Sequence, residues 1–248
     1  MRLYKKSQIW FAVVWIIAYC VLLSLGDNLS RMAGIEKSIT LPVCIVLSMG
    51  LFCFLRKNGL LKEYGLCKSD IPAGKLLLYL PLAVLVSMNL WFGTAMNLSP
   101  LETALYICSM LLVGFLEEMI FRGLLFKAMC KDNVKSAIVV SSVTFGIGHI
   151  INLINGSGAD LMSNLLQVGY AIAVGFLFVL LFYKTKSLLA CIFTHSGVNA
   201  LSFFADESGM TPELEIISAA ILALVAIAYA VYIHFAVKNP RTEKSDET

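Results

Sequence analysis

Eight apolar stretches follow one another along this chain, at about residues 8–25, 38–55, 75–96, 101–126, 136–154, 164–183, 187–204 and 214–236. Each approaches the roughly 20 residues an α-helix needs to cross the hydrocarbon of a bilayer. Backbone N–H and C=O groups in lipid find no water, so such stretches must bond internally as helices. The apolar share of 59% and charged share of 14% lie far from the soluble-domain averages of about 45–50% and about 25%. A water-soluble globule is thereby excluded. The expected fold class is all-α, a polytopic integral membrane protein of about eight transmembrane helices forming a single membrane domain over residues 1–248. The polar segment 238–248 is expected to be a disordered tail. The first apolar run is too long for a signal peptide and no small-residue cleavage site follows it, so it reads as the first membrane helix.

The basic residues mark the topology. All nineteen Lys and Arg except Arg31, Lys37 and Arg122 fall at the same side of the membrane once the helices are threaded, and the positive-inside rule makes that side cytoplasmic, with both termini there. A net charge of +3 distributed in this way signals topology and no nucleic-acid partner. The basic loop over 56–74 mixes Lys57, Glu63, Lys68 and Asp70 with Leu60, Leu61, Tyr64 and Leu66, and reads either as a short amphipathic piece on the membrane surface or as a plain connector. Seven cysteines, an odd number without a C-x-x-C pair, indicate neither a disulfide framework nor a zinc knuckle.

Ionisable groups inside membrane helices are costly, about 2.5–3.5 kcal/mol each at a helix centre on insertion scales, so the few present carry most of the functional information. The fourth stretch holds Glu117, Glu118 and Arg122; the fifth holds His149; the seventh holds His195 and Asn199. Glu118 and Arg122 are spaced i, i+4 with the acid first, the better order for an intrahelical pair. On an ideal α-helix this leaves Glu117 about 100° away as an unpaired carboxylate. His195 and Asn199, also i, i+4, share one face. Counting about 1.5 Å per residue from the nearest cytoplasmic lysine puts Glu117, His149, His195 and Asn199 at about 14–21 Å depth. A common layer points to one site between helices 4, 5 and 7, reached from the cytoplasmic side. Gly114, Gly123, Gly146, Gly148 and Gly197 flank these positions and permit close helix approach.

A buried carboxylate beside an imidazole can take a proton from water, and a second imidazole with an amide can donate hydrogen bonds to the oxyanion of an attacked carbonyl. These parts suffice for amide hydrolysis. The set Glu117-Glu118-x-x-x-Arg122 with Phe121 and Gly123, then Phe145-x-x-x-His149, then His195-x-x-x-Asn199 resembles the CPBP family, which groups CAAX proteases with bacteriocin-processing and abortive-infection-type membrane proteins. The resemblance covers about residues 101–204. It implies an intramembrane endopeptidase in which Glu117 is the base acting on water with His149, His195 and Asn199 stabilise the oxyanion, and Glu118 and Arg122 support the site. The implied partners are the lipid bilayer and a peptide or protein in or at the membrane, prenylated or otherwise lipophilic.

Members of that family are described both as metalloproteases and as glutamate-dependent proteases. Glu117, His149 and His195 would be enough ligands for zinc, but H-E-x-x-H is absent and Asn199 is a poor zinc ligand. Water activation without a required cofactor is therefore the expected chemistry, with a divalent metal such as zinc as the open alternative. Two other readings compete: a non-catalytic scaffold or bacteriocin-immunity protein of the same fold, and a transporter using Glu117 and His149 as a proton relay. The second lacks the paired broken helices of an inverted repeat. A bacterial cell membrane is the expected location.

Overall fold

The computed structural model describes residues 2–153, 160–206 and 208–238. The expected disordered tail lies, but for Lys238, outside the described residues. After a short helical turn, Arg2–Lys6, the helices are α1 (Gln8–Met32), α2 (Thr40–Lys57), α3 (Ala73–Leu90), α4 (Pro100–Met129), α5 (Val134–Leu153), α6 (Leu161–Thr185), α7 (Leu189–Phe204) and α8 (Pro212–Ala236). All but α7 are long and apolar enough to cross a membrane, and no strand occurs among the described residues. The protein is an all-α polytopic membrane protein.

Helix starts follow local chemistry. Ser7, Asn133, Asp160 and Thr211 each cap a helix by accepting a backbone N–H from its first turn, and Ser99 with Glu102 closes a capping box ahead of Pro100. The outward surface is apolar, with Val46, Phe193 and Phe235 among its most exposed side chains, as lipid requires. Small residues set the closest contacts. A Cβ on Gly114 would stand 2.6 Å from the backbone nitrogen of Ser196, and one on Gly146 would stand 2.9 Å from that of Ile172. These two glycines let α4 meet α7 and α5 meet α6; Gly148, by contrast, faces open space.

Three features correct or narrow the sequence expectations. The third apolar stretch is not one regular span: Leu77, Leu78 and Tyr79 have φ of 51°, 51° and 59°, in the left-handed region that side chains disfavour. The carbonyls of Lys75 and Leu76 accept hydroxyls of Tyr232 and Tyr229, and a regular α-helix resumes at Leu80–Ser87 with Pro81 in its first turn. Of the two readings of the basic loop after α2, the connector describes it: it is a run of turns folded back under the bundle. Its Tyr64 is buried and its hydroxyl bonds that of Tyr4 at 2.9 Å, while the Gly65 carbonyl accepts Leu188 N–H at 2.8 Å.

Third, α4 is not α-helical throughout. Glu118–Phe126 is a π-helix, every residue of which is buried. A π-segment closes i→i+5 hydrogen bonds and is often found at functional sites. Its wider turn advances each residue by less than the 100° assumed from sequence, so neighbouring side chains diverge less.

The two ends of the bundle differ. At the lysine-rich end, the Tyr64 loop, the start of α7 and the end of α8 interlock; Ser187 Oγ donates to the Cys67 carbonyl and Lys184 Nζ to those of His234 and Val237. At the other end, Lys37 pairs with Asp27 at 2.7 Å, and the loops before α4 and after α7 are pinned together by a Thr94–Ala205 bridge and an Ala95 N–H to Phe204 carbonyl bond of 3.0 Å.

Candidate active site

Within the bundle a chain of polar contacts runs from α4 through α7 and back to α1. Arg122 Nη1 donates to Glu118 Oε1 at 2.9 Å, with both side chains fully buried. The same oxygen lies 2.9 Å from His195 Nδ1. The other ring nitrogen, Nε2, is 3.4 Å from Glu117 Oε2, and Glu117 Oε1 accepts the Tyr19 hydroxyl at 2.5 Å. The imidazole of His195 thus stands between two carboxylates. As an imidazolium it can donate from both nitrogens at once.

Sequence spacing identifies the Glu118–Arg122 pair correctly and misplaces Glu117. That carboxylate is not unpaired: its Oε2 faces His195, and α1 supplies the tyrosine that holds its Oε1. Tyr19 is the residue that sequence reasoning missed. It lies in no motif, and one tyrosine in the first membrane helix looks like any packed aromatic.

Arg122 is held by rings as well as by charge. Its Cζ lies 4.0 Å from the centroid of Phe145 and 5.6 Å from that of Phe178, and its Nε and Nη2 have no hydrogen-bond acceptor. A guanidinium over an aromatic face is attracted by the ring quadrupole. Phe145 also packs edge-on against His149 and His195, at centroid distances of 5.4 and 5.5 Å. It is the apolar hub around which the polar groups are arranged.

His149 and Asn199 reach the same space without touching Glu117. The His149 ring begins a 3₁₀ turn that ends α5; its backbone carbonyl accepts Asn164 Nδ2 at 2.9 Å, while its ring nitrogens bond no described residue. Two cavities meet between them. One, of about 570 Å³, has Tyr19, Glu117, His149 and Asn199 in its wall; the other, of about 90 Å³, is lined chiefly by apolar side chains such as Leu85, Val174 and Phe178. Phe145, His149, Gln167 and Asn199 border both. The depth argument predicts approach from the lysine-rich end. The larger cavity instead extends to Asp27, Glu36 and Lys37 at the opposite end.

Among the described residues no three His, Cys, Asp or Glu groups converge as ligands, and both nitrogens of His195 already face carboxylates. Among the described residues, Cys191 is buried with its Sγ donating to the Phe178 carbonyl, and Cys108 is exposed. Ser196 Oγ is spent on the Leu111 carbonyl at 2.9 Å.

Comparison with known proteins agrees with the motifs. The family model described as type II CAAX prenyl endopeptidase Rce1-like matches residues 99–201, the stretch that contains all three motifs. No curated protein and no solved structure matches the chain. Residues 99–201, the motif-bearing stretch from α4 into α7, are thus similar to the Rce1-like type II CAAX prenyl endopeptidase family, which is the CPBP and CAAX protease family.

Proposed function

We propose that the protein is an intramembrane endopeptidase that hydrolyses a peptide bond of a membrane-associated peptide or protein, with Glu117 as the base that activates water. The observation that carries this reading is the placement of Glu117: its Oε1 is fixed by Tyr19 and its Oε2 faces His195 at the wall of a polar cavity. A base must be oriented and reach a water, and the Tyr19 bond and the position in the cavity wall support that role for Glu117.

Glu117 takes a proton from water held between it and His149, and the oxygen attacks the peptide carbonyl carbon. The carbonyl electron pair moves to oxygen, which accepts hydrogen bonds from His195 Nε2–H and Asn199 Nδ2–H. Collapse breaks the C–N bond, and Glu117 returns its proton to the leaving nitrogen. Glu118 and Arg122 touch no substrate; they hold the ring of His195 so that Nε2 points into the cavity. No step requires a metal.

The test compares cells carrying the native protein with cells carrying Glu117→Gln at equal membrane expression, by mass spectrometry of new peptide termini. Termini present with the native protein and lost with Glu117→Gln establish hydrolysis and name the substrate. Identical termini, with both forms restoring a deletion strain equally, would leave the protein a binding scaffold.

A further inference from the structure

We propose that the cavity at the lysine-rich end of the bundle binds a phosphate group, carried either by an anionic phospholipid of the adjoining leaflet or by a water-soluble phosphate ester. The proposal stands apart from the hydrolytic reading, because this cavity shares no lining residue with the two that meet at His149.

The cavity encloses about 190 Å³ between the end of α4, the end of α6 and the loop after α2. Its floor is aromatic. Phe126 and Phe182 are buried and meet edge-on at a centroid distance of 6.0 Å, and Tyr183 meets Phe126 in the same way at 6.3 Å. Lys127, Lys131 and Lys186 complete the wall. Rings beneath ammonium groups at a membrane boundary suit an amphiphile, with carbon against the rings and phosphate oxygens against the amines. Basic pockets between membrane helices at the cytoplasmic side take anionic headgroups in this manner.

The charge here is not neutralised by the protein. Glu63 is the one acid among the lining residues, and among the described residues no carboxylate pairs with any of the three lysines. Lys184, close by in the chain, shows the contrast: its Nζ donates to the carbonyls of His234 and Val237. Lys127 and Lys131 stand at i, i+4, a spacing at which like charges repel. Partial burial, and then the ammonium of Lys127, hold the Lys186 amine below its ordinary value. Burial pushes the Cys130 thiol up against the opposing pull of Lys127 and Lys186, so these two cations flank that thiol in the cavity wall.

The backbone adds a third sign. Lys186 closes α6 with φ 59° and ψ 10°, the left-handed conformation for which a helix end ordinarily uses glycine. A lysine there is justified by its side chain and not by its backbone. Its Nζ lies 5.3 Å from the centroid of the Tyr183 ring, over the aromatic floor. Strain and crowded cations meeting at one cavity mark a binding site, and a bound phosphate would offset the repulsion through charge-assisted hydrogen bonds.

The experiment uses the full-length protein purified in a neutral detergent, with Cys130 kept and the other six cysteines replaced by Ser or Ala. The rate at which an uncharged maleimide alkylates Cys130 is followed against dioctanoyl phosphatidate, dioctanoyl phosphatidylcholine and glycerol 3-phosphate. Phosphatidate should slow alkylation saturably and raise the unfolding midpoint; the midpoint alone is read should Cys130 fail to react. Phosphatidylcholine, with no net charge, should do neither. Protection by phosphatidate alone assigns the site to lipid, and equal protection by glycerol 3-phosphate assigns it to the phosphate group from either source. Lys127→Gln and Lys131→Gln should each weaken binding by about 5-fold. Lys186→Gly should weaken it equally while raising the midpoint measured without phosphatidate, since the backbone strain is relieved; that variant separates lost binding from lost folding. No protection by any of the three compounds, equal protection by phosphatidylcholine, or unchanged binding in the lysine variants overturns the proposal.

Discussion

Replacing Arg122 by Met removes the guanidinium partner of a carboxylate that has no exposure to solvent. Glu118 would keep one contact, to His195, and its Oε2 already lacks a hydrogen-bond donor. Breaking a buried ion pair by deleting one member costs about 3–5 kcal/mol, because the remaining charge is stranded. At about 2–4 °C per kcal/mol for a chain of this size, the unfolding midpoint should fall by about 6–20 °C. The double variant Glu118→Met with Arg122→Met strands no charge and preserves volume, so most of that loss should return. Activity should not return with it. Without Glu118 the ring of His195 loses the acceptor that fixes Nδ1, and misplacing a catalytic group by about 1 Å can cost about 10²-fold in rate. Midpoints can be read in detergent with a thiol-reactive fluorophore, since Cys44 and Cys191 are buried until the fold opens. An Arg122→Met single variant as stable as the native protein, or a double variant no more stable than the single, would refute the account of the buried pair. A fully active double variant would refute the positioning role.

Other expectations are simpler. Asn199→Ala should lower kcat by about 10²–10³ with little change in folded yield, as for a lost oxyanion donor, and His149→Ala should abolish hydrolysis; both are read as turnover of the substrate that the terminus comparison identifies. Gly146→Ala should destabilise by about 1–3 kcal/mol, since the new methyl meets the Ile172 backbone and α5 and α6 must part, and the unfolding midpoint reports it. Prolonged treatment with a zinc chelator should leave purified enzyme active; loss on chelation with recovery on adding zinc would overturn metal-free water activation.

Legibility from sequence followed chemistry closely. Glu118, Arg122, His149 and His195 stand out because charge and imidazole are rare in apolar helices, and i, i+4 spacing was enough to pair Glu118 with Arg122. The eight apolar stretches likewise located the helices. What sequence could not show were features set by tertiary contact. The π-helical turn at Glu118–Phe126 follows from the packing of nine buried residues and has no signature in residue type. Tyr19 bonds Glu117 across 98 positions of chain, a pairing that no local spacing encodes. The break at Leu77–Tyr79 arises because two tyrosines of α8 capture carbonyls that a regular helix would use. Depth counted from lysines says nothing of access, which depends on which neighbours splay apart and which interlock.

One further consequence concerns the bilayer itself. The α-helical part of α7, Leu189–Leu201, has 13 residues, about 20 Å of rise, and its neighbour in α3, Leu80–Ser87, has 8, about 12 Å. Both present apolar side chains outward, Phe193 and Leu80 being 73% and 63% exposed. Against hydrocarbon about 30 Å thick, α7 is in negative hydrophobic mismatch, and lipid beside it must thin to match. The thinned patch adjoins the helix that carries His195 and Asn199, so the acyl-chain length of the host membrane becomes a variable of the site.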